Sequence, residues 1–599
     1  MKKLKYILAT TFLLFVASSC NLDVDMYNSV IAEKLDARNI DKAHRGSYEL
    51  LKHNSGIVRH GAYFSNLGAD DLAWNSTSSG TTFYFYDYSR NINNTETEYG
   101  WELAYRTIGS CNDIIVKVDE FFGSNLKTDH KLLKGESFYI RALCYFLLVN
   151  EFAQPYSNNP DKNPGLPLKL DNNSDRMAVP KKRSTVAEVY NQIVLDLTDA
   201  IDLMTLPAGT DPKSNIYATK EAAEALLARV YLYMGKYDEA YELADKVIKS
   251  GRFELESGEK YATYPQIIPE NNKETIFAIR QTLNKDTDDG IGSLFIRVDN
   301  SGWEEISASS RYLELLELHH DSNDMPKDLR RRFVRKRYVE DGVEDYSISE
   351  YANKQYKTWW FAYASKQAGD NAHYEYERVM VEKNEAGEFI ITKPEDVAKF
   401  KKNKIESESY NLGKRYFVTS TNGEKHIGRI EPEVFDASTK RGKDGRFLVY
   451  SINKSSYQEQ RKHLYSTVVS RLSEMYLIRA EINAINGKTQ NALDDVNIIR
   501  KRAGIPEWTV ANMQTAENGQ PKSIEKIVEE ERILELAWEG HRRYDIFRKK
   551  GTLDRRYPGA HTLKYGDKYI SVPYNSPSVC EFIPQKQFDN YPYSLEQNP

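Results

Sequence analysis

Cysteine is scarce in this chain: four residues in 599, one of them at position 20. The other three, Cys111, Cys144 and Cys580, show none of the paired spacings of a zinc site. We read them as buried thiols; a disulfide stays open in an oxidising compartment, but no spacing requires one. Charge of one sign is also missing. With 82 basic and 87 acidic residues the formal net charge is −5, which gives no general attraction to nucleic acid. Long hydrophobic runs are absent after the first twenty residues, so no later segment is long enough to span a bilayer. The motifs G-x-S-x-G, H-E-x-x-H and G-x-x-x-x-G-K-[ST] are all missing, which removes the signatures of a hydrolase elbow, a zincin and a P-loop. A glycosidase stays open, because two facing carboxylates leave no short signature.

What the chain has is helical periodicity and tyrosine. Aromatic residues make up 12%, including 41 tyrosines, a side chain that joins flat apolar area to a hydrogen-bonding tip. Around Asn486-Gly487, small or apolar residues recur at Leu472, Met475, Tyr476, Ala480 and Ala484, then at Ala492, Val496, Ile499 and Ala503. That spacing predicts a helix hairpin with a glycine corner. Ala228, Gly235 and Ala240 repeat the frame of Ala480, Gly487 and Ala492, the tetratricopeptide pattern in which alanines let two helices approach closely. A third unit begins with Ala142 and Tyr145 and continues, after a Pro- and Asn-rich loop at 156–183, in a helix opened by the capping box Thr185 and Glu188. The expected fold is therefore mostly α: a tetratricopeptide-like scaffold with repeats near 131–205, 218–250 and 470–504 and a C-terminal helix over 523–549. Another amphipathic helix is expected over 32–52. Long loops and short β-hairpins would be inserted near 60–95 and 256–465, with strands at Thr275–Ile279, Tyr416–Thr419 and Phe447–Tyr450.

The N-terminus MKKLKYILATTFLLFVASSC is basic, then apolar, then small before a cysteine. It resembles a lipoprotein signal over residues 1–19, with Cys20 as the acylated first residue of a mature unit running from 20 to 599.

These features together resemble the SusD/RagB family of outer-membrane nutrient-uptake lipoproteins. The motifs that carry the resemblance are Trp101-Glu-Leu-Ala-Tyr105 with Ile108 and Cys111-Asn112, Gly135-Glu136 with Arg141-Ala142 and Tyr145-Phe146, and the repeat from Ala218 to Ile248. Later come Glu274-Thr-Ile-Phe277, Arg471-Leu-Ser-Glu474 with Ala480-Glu481, Asn497 to Gly504, and Glu531-Arg532, Glu535-Leu536, Glu539-Gly540 and Tyr544-Asp545. The resemblance implies a lipid-anchored protein on the outside of the outer membrane. It would cover a TonB-dependent, SusC-like transporter and capture oligosaccharide, or in some members peptide, without catalysis. Asp23 and Asp25 resemble the acidic export signal of such surface lipoproteins. No cofactor and no metal ligands are assigned; a bound calcium stays open, since its oxygens would have to converge from several segments. The rival readings are peptide cargo in the same role, a carbohydrate-active enzyme, and a scaffold of an envelope complex.

Candidate ligand contacts follow from aromatic stacking and polar neighbours. In His60–Asn91, Tyr84, Tyr86 and Tyr88 alternate with other residues, so an extended conformation would put three phenols on one side. Asp70, Asp71, Trp74, Asn75 and Arg90 supply polar or stacking groups beside them; the bland reading is that this segment seals a loop. In the second insertion the candidates are Trp303, Tyr351, Trp359, Trp360 and Tyr363. Adjacent tryptophans on a strand point opposite ways, so at most one of Trp359 and Trp360 faces a ligand. Trp101 and Tyr105, one turn apart, are expected in the core.

Glu531, Glu535 and Glu539 recur at i, i+4 and i+8, which on one helix would repel. We expect the nearby Arg471, Arg479, Arg500, Arg502, Arg542 and Arg543 to neutralise them in a structural network rather than leave them for acid/base chemistry. His319-His320 with Asp321 and Asp324 reads as a helix end and polar loop, and the run Arg330 to Arg337 as a solvated face or a partner of Glu340, Asp341 and Glu344.

Overall fold

The computed structural model describes residues 35–53, 56–74, 80–123, 125–171, 182–282, 291–298, 301–320, 327–340, 343–346, 358–366, 375–410, 412–432, 447–555, 571–590 and 595–599. Cys20, Asp23, Asp25, Asn75, Asp321, Asp324 and Tyr351 lie outside them.

Eleven helices carry the frame: α1 (Ile40–Lys52), α2 (Ile57–Leu67), α3 (Thr95–Phe122), α4 (Thr128–Phe152), α5 (Val186–Leu203), α6 (Lys220–Met234), α7 (Tyr237–Lys249), α8 (Leu472–Ile485), α9 (Thr489–Ala503), α10 (Ile524–Glu535) and α11 (Arg542–Arg548). Local chemistry sets their ends. The Thr219 hydroxyl accepts from the Ala222 N–H to start α6, and Gly235 at φ 73° ends it in the left-handed conformation that glycine adopts without strain. Gly487 at φ 68° turns α8 into α9 in the same way. Ala228 and Ala240, and likewise Ala480 and Ala492, are fully buried where the helices of each pair cross. The α4–α5 pair spans the long loop, and α5 opens on the expected box: the Thr185 N–H donates to Glu188 at 2.7 Å and the Glu188 N–H to Thr185 Oγ1 at 3.2 Å.

The pairs stack in order, α4 on α5, α5 on α6, α7 on α8, and α10 closes against α8 and α9. This is the repeat scaffold that the alanine and glycine pattern predicts. Trp101 and Tyr105 are buried with ring centres 5.0 Å apart. Buried tyrosines also tie loop to frame by their tips: Tyr105 donates to the Pro167 carbonyl and Tyr145 to that of Lys169, both at 2.8 Å. Cys111, Cys144 and Cys580 are buried as free thiols, and burial pushes Cys111 up to about 12.

Two expectations change on inspection. α1 begins at Ile40, and the C-terminal helix is broken: α10 ends at Glu535, and α11 starts only at Arg542. Between them Trp538 (φ 61°) and Gly540 (φ 81°) take left-handed conformations. The reason is tertiary. The Trp538 indole N–H donates to the Asp71 carbonyl at 3.1 Å, and the Gly540 N–H to Asn66 Oδ1 at 2.9 Å.

The strands are β1 (Leu72–Trp74), β2 (Thr275–Ile279), β3 (Ile306–Ala308), β4 (Val334–Glu340), β5 (Val343–Tyr346), β6 (Thr358–Lys366), β7 (Glu375–Lys383), β8 (Phe389–Ile391), β9 (Glu406–Tyr410), β10 (Gly413–Thr419), β11 (Lys425–Pro432), β12 (Phe447–Ile452) and β13 (Thr467–Arg471), with a short pair at Thr552–Asp554 and Ser571–Pro573. The three expected strands appear as β2, within β10, and within β12. The second insertion is more than a hairpin. Two antiparallel meanders, β6-β7-β8 and β9-β10-β11, join through β6 and β11 into one six-stranded sheet. Its own core holds Phe361, Tyr363, Val379, Val381, Ile391, Phe400, Ile405 and Val418. The opposite face carries Arg415 and Arg429, which reach the frame at Glu314 and Glu317, at 2.5 and 3.0 Å.

Candidate functional site

The carboxylate stripe belongs to the frame. Arg471 donates to Glu274 at 2.7 Å, to Glu535 at 2.6 Å and to Glu539 at 2.6 Å. Arg502 bridges Glu274 and Glu535, and Arg500 reaches Glu531 at 3.1 Å. Burial pushes the Glu535 carboxyl up, but Arg502, Arg471 and Arg330 outweigh it and hold the group well below the usual range. A carboxylate so held keeps no proton to donate near neutral pH. Three expected cations serve other partners: Arg479 binds Asp245 and Asp495, Arg542 binds Asp70 and Glu529, and Arg543 donates to the Val579 carbonyl. Arg330 corrects the solvated-face reading. It is fully buried between Asp328, at 2.7 Å, and Glu531, at 2.6 Å. His319 is buried, and burial with Arg500 and Arg330 lowers it to about 3, so it stays neutral.

Most aromatics of the first insertion point inward. Phe83–Asp87 forms a short helix, not the extended stripe, because Phe85 and Tyr86 both bury against the α2 side of the frame. Tyr86 is covered by the Arg555 guanidinium 4.0 Å from its ring centre, and Tyr88 by that of Arg543 at 4.5 Å. The Tyr88 hydroxyl donates to the Gly68 carbonyl at 2.5 Å. Trp74 is buried against Phe83 and Tyr86, and Tyr84 is half-buried. Arg90 donates to the carbonyls of Pro577 and Pro599, so it fastens the C-terminal segment.

The two acids beside them are also structural. Asp70 accepts from Arg542 at 2.6 Å; burial opposes its charge, yet Arg542 and Arg311 bring it down to about 2. Burial and the neighbouring Asp70 push Asp71 up to about 7, and its carboxylate accepts the Trp538 N–H at 3.3 Å.

The second insertion divides its tryptophans. Trp359 and Trp360 are half-buried on opposite faces of β6: Trp359 on the face of Phe361 with Phe389 and Lys383 beside it, Trp360 on the other under Lys393. Tyr363 is buried and donates to Glu377 at 3.0 Å. Trp303 differs from all of these. All seven tryptophans are among the described residues, and it alone is exposed, at 46%.

A pinned turn puts it there. The N–H groups of Trp303 and Glu304 both donate to the Ser293 carbonyl, at 2.7 and 2.9 Å. Gly302 has φ 95°, and a Cβ on it would stand 2.3 Å from the Ile296 carbonyl oxygen. Any other residue here would be strained, so glycine suits the turn that carries the exposed indole. Arg59 of α2 lies 5.9 Å from the Trp303 ring centre. Next along the chain Glu305 accepts from the Thr82 hydroxyl at 2.8 Å, and burial raises its carboxyl. The face thus offers a flat ring with a guanidinium beside it, and a hydroxyl–carboxyl pair close by along the chain. Sequence reasoning missed Arg59, Thr82 and Glu305; the only local signal was a charged pair, Arg59-His60, in the apolar helix IVRHGAYFSNL.

The family model described as "Starch-binding associating with outer membrane" matches residues 22–232, and the one described as "SusD family" matches residues 273–580. No curated protein matches the chain. Among solved structures, a SusD superfamily protein from Bacteroides thetaiotaomicron is 22% identical, with 94% of this chain and 100% of that one covered and a TM-score of 0.62. A SusD superfamily protein from Bacteroides vulgatus is 22% identical, with coverage of 94% and 99% and a TM-score of 0.64. A SusD-like carbohydrate binding protein from Bacteroides vulgatus is 17% identical, with coverage of 94% and 98% and a TM-score of 0.59. These structures share the fold, while the family matches run through both the helical frame and the insertion built on it: the chain belongs to the SusD family.

Proposed function

We propose that this protein is a non-catalytic carbohydrate-binding lipoprotein of the cell surface, anchored through Cys20 and built as one unit from that residue on. It captures oligosaccharide and passes it to a TonB-dependent transporter of the SusC type. The observation that carries the reading is Trp303, an indole left open to solvent by a turn pinned through its backbone, with Arg59 beside it and Glu305 two residues along. A pyranose lays its axial C–H groups on such a ring while its hydroxyls meet the polar neighbours. The family description and the carbohydrate-binding structural neighbour support the same class. Against catalysis stands the state of the conspicuous carboxylates: Glu531, Glu535 and Glu539 are clamped by arginines.

The test is affinity electrophoresis and calorimetry with a panel of soluble glycans and peptides, on wild type and Trp303→Ala. Glycan binding that falls at least about fivefold in the variant is the expected result, since stacking on an aromatic contributes on the order of 1 kcal/mol or more. Binding of peptides alone would move the cargo to that class. Chromatography showing shorter chains released by the pure protein would overturn the non-catalytic reading.

A further inference from the structure

A second recess lies where the six-stranded sheet meets the frame. It is a cavity of ≈ 290 Å³ walled by Arg311, Glu314 and Leu315, by Lys526, Glu529, Glu530 and Ile533, and by Tyr410, Arg415 and Asp554. At about 30 Å³ per water it has room for on the order of ten waters, the bulk of one or two sugar rings. Its walls follow from helical spacing. Lys526, Glu529, Glu530 and Ile533 stand at i, i+3, i+4 and i+7 on α10, and Arg311, Glu314 and Leu315 at i, i+3 and i+4 on the helix Ser310–Leu316, so each helix turns one stripe to the recess. Junctions between structural units are where pockets concentrate.

The wall is charged yet balanced. Arg415 binds Glu314 at 2.5 Å, Arg311 binds Asp70 at 3.0 Å, Lys526 binds Glu517 at 2.8 Å, and Arg542 binds Glu529 at 2.8 Å. Glu530 accepts from the Tyr410 hydroxyl at 2.5 Å and pairs with Lys522. The Tyr410 ring is already engaged by cations, with the Arg415 guanidinium 3.4 Å and the Lys522 ammonium 4.2 Å from its centre. A charged ligand would have to break one of these pairs, and a flat aromatic ligand finds no open ring. A neutral polyhydroxylated ring breaks none: each hydroxyl donates to a carboxylate edge and accepts from an N–H of the cation beside it, while the ring C–H groups meet Leu315 and Ile533.

We propose that this recess is a second binding site, for a neutral mono- or disaccharide. It is separate from the Trp303 face. The β1–β3 ladder lies between them, with Glu305 before Ile306 at one end and Ser309, which opens the helix of Arg311, at the other, about 13 Å apart at ~3.3 Å per residue. Hydrogen bonding inside the recess makes it selective for hydroxyl arrangement, which a stacking ring is not.

The test is calorimetry and saturation-transfer NMR on the full chain in detergent, with D-glucose, D-galactose, D-mannose and D-xylose as probes and anionic galacturonate and cationic choline as charged controls. Lys526 lines the recess and is 45% exposed, so Lys526→Trp puts an indole over the recess at the cost of one exposed ion pair with Glu517. The expected result is millimolar binding of at least one neutral sugar. Lys526→Trp should weaken it about tenfold or more, as loss of a well-bonded pocket does, and Trp303→Ala should leave it unchanged. Glu314→Gln, which keeps the shape but removes the charge paired with Arg415, should weaken it by about fivefold while costing no more than about 1–2 kcal/mol of stability. The proposal is overturned if no neutral sugar binds, if Lys526→Trp has no effect, or if a charged control binds more tightly. Failure of the Trp303 face would show in oligosaccharide binding to Trp303→Ala alone.

Discussion

The segment from Asp70 to Tyr88 and the turn from Gly302 to Glu305 are held together by the β1–β3 ladder, yet one turns its aromatics inward and the other outward. The difference lies in what each can pair with. Tyr86 and Tyr88 sit under the guanidinium groups of Arg555 and Arg543, supplied by the C-terminal part of the chain, and Trp74 packs on Phe83 and Tyr86. Trp303 has its backbone N–H satisfied by Ser293 and Arg59 beside its ring, yet it stays 46% exposed, open to water or a ligand. Aromatic density alone therefore does not mark a binding face. The role proposed for Trp303 rests instead on its exposure at a turn fixed by backbone hydrogen bonds.

The strongest way to break this contrast is at the arginine. Arg555 is buried and donates to the carbonyls of Leu67, Ala69 and Tyr86. Arg555→Ala leaves those carbonyls unsatisfied and uncovers the Tyr86 ring; we expect a loss of about 3–5 kcal/mol. Its readout is the thermal midpoint and soluble yield, and a midpoint close to wild type would show that the inward segment does not depend on the cation.

Asp70 and Asp71 sharpen the comparison, because adjacent carboxyls are shifted in opposite directions. Asp70 is lowered to about 2, so its stabilisation is full above pH 3.8 and is lost as pH falls toward 2. Asp71 is raised to about 7, so its contribution is full below pH 3.8 and is lost as pH rises through 7. Asp70→Asn removes the charge facing Arg542 and Arg311 and should cost about 3 kcal/mol at pH 7. Asp71→Asn can still accept the Trp538 N–H and carries no charge to desolvate. It should flatten the decline in melting temperature between about pH 4 and pH 7, a term on the order of 4 kcal/mol at ~1.4 per pKa unit. Equal pH profiles for wild type and Asp71→Asn would remove the buried acid from the account.

How much of this was legible in the sequence depends on how far apart the partners lie. Ala228 with Ala240 and Ala480 with Ala492 meet across a single corner, and Gly235 and Gly487 mark that corner, so the frame could be read from a few dozen residues. The opposed faces of Trp359 and Trp360 follow from the two-residue period of a strand. The tyrosine run misleads because Phe83 to Tyr88 alternates like a strand, while Arg555, which covers Tyr86, stands 469 residues later. Arg59 and Glu305 come together on the Trp303 face from different elements, and no local pattern joins them.

Gly302 carries a smaller effect on stability. Gly302→Ala puts a Cβ against the Ile296 carbonyl at a φ that L residues avoid, which should cost about 1–3 kcal/mol and swing the indole away from Arg59. Glycan affinity and melting temperature should fall together in this variant.

Trp303→Ala should separate the two. An exposed side chain with no hydrogen bond to the fold leaves stability within about 0.5 kcal/mol, because the turn is held by its backbone rather than by the indole. Loss of glycan binding at an unchanged melting temperature therefore assigns the ring to the ligand, whereas Trp74→Ala, which empties a buried site, should lower the melting temperature by the equivalent of about 3–5 kcal/mol. If both tryptophans instead behave alike in either measurement, the inward and outward segments do not differ in kind, and the binding face must be sought elsewhere on the insertion.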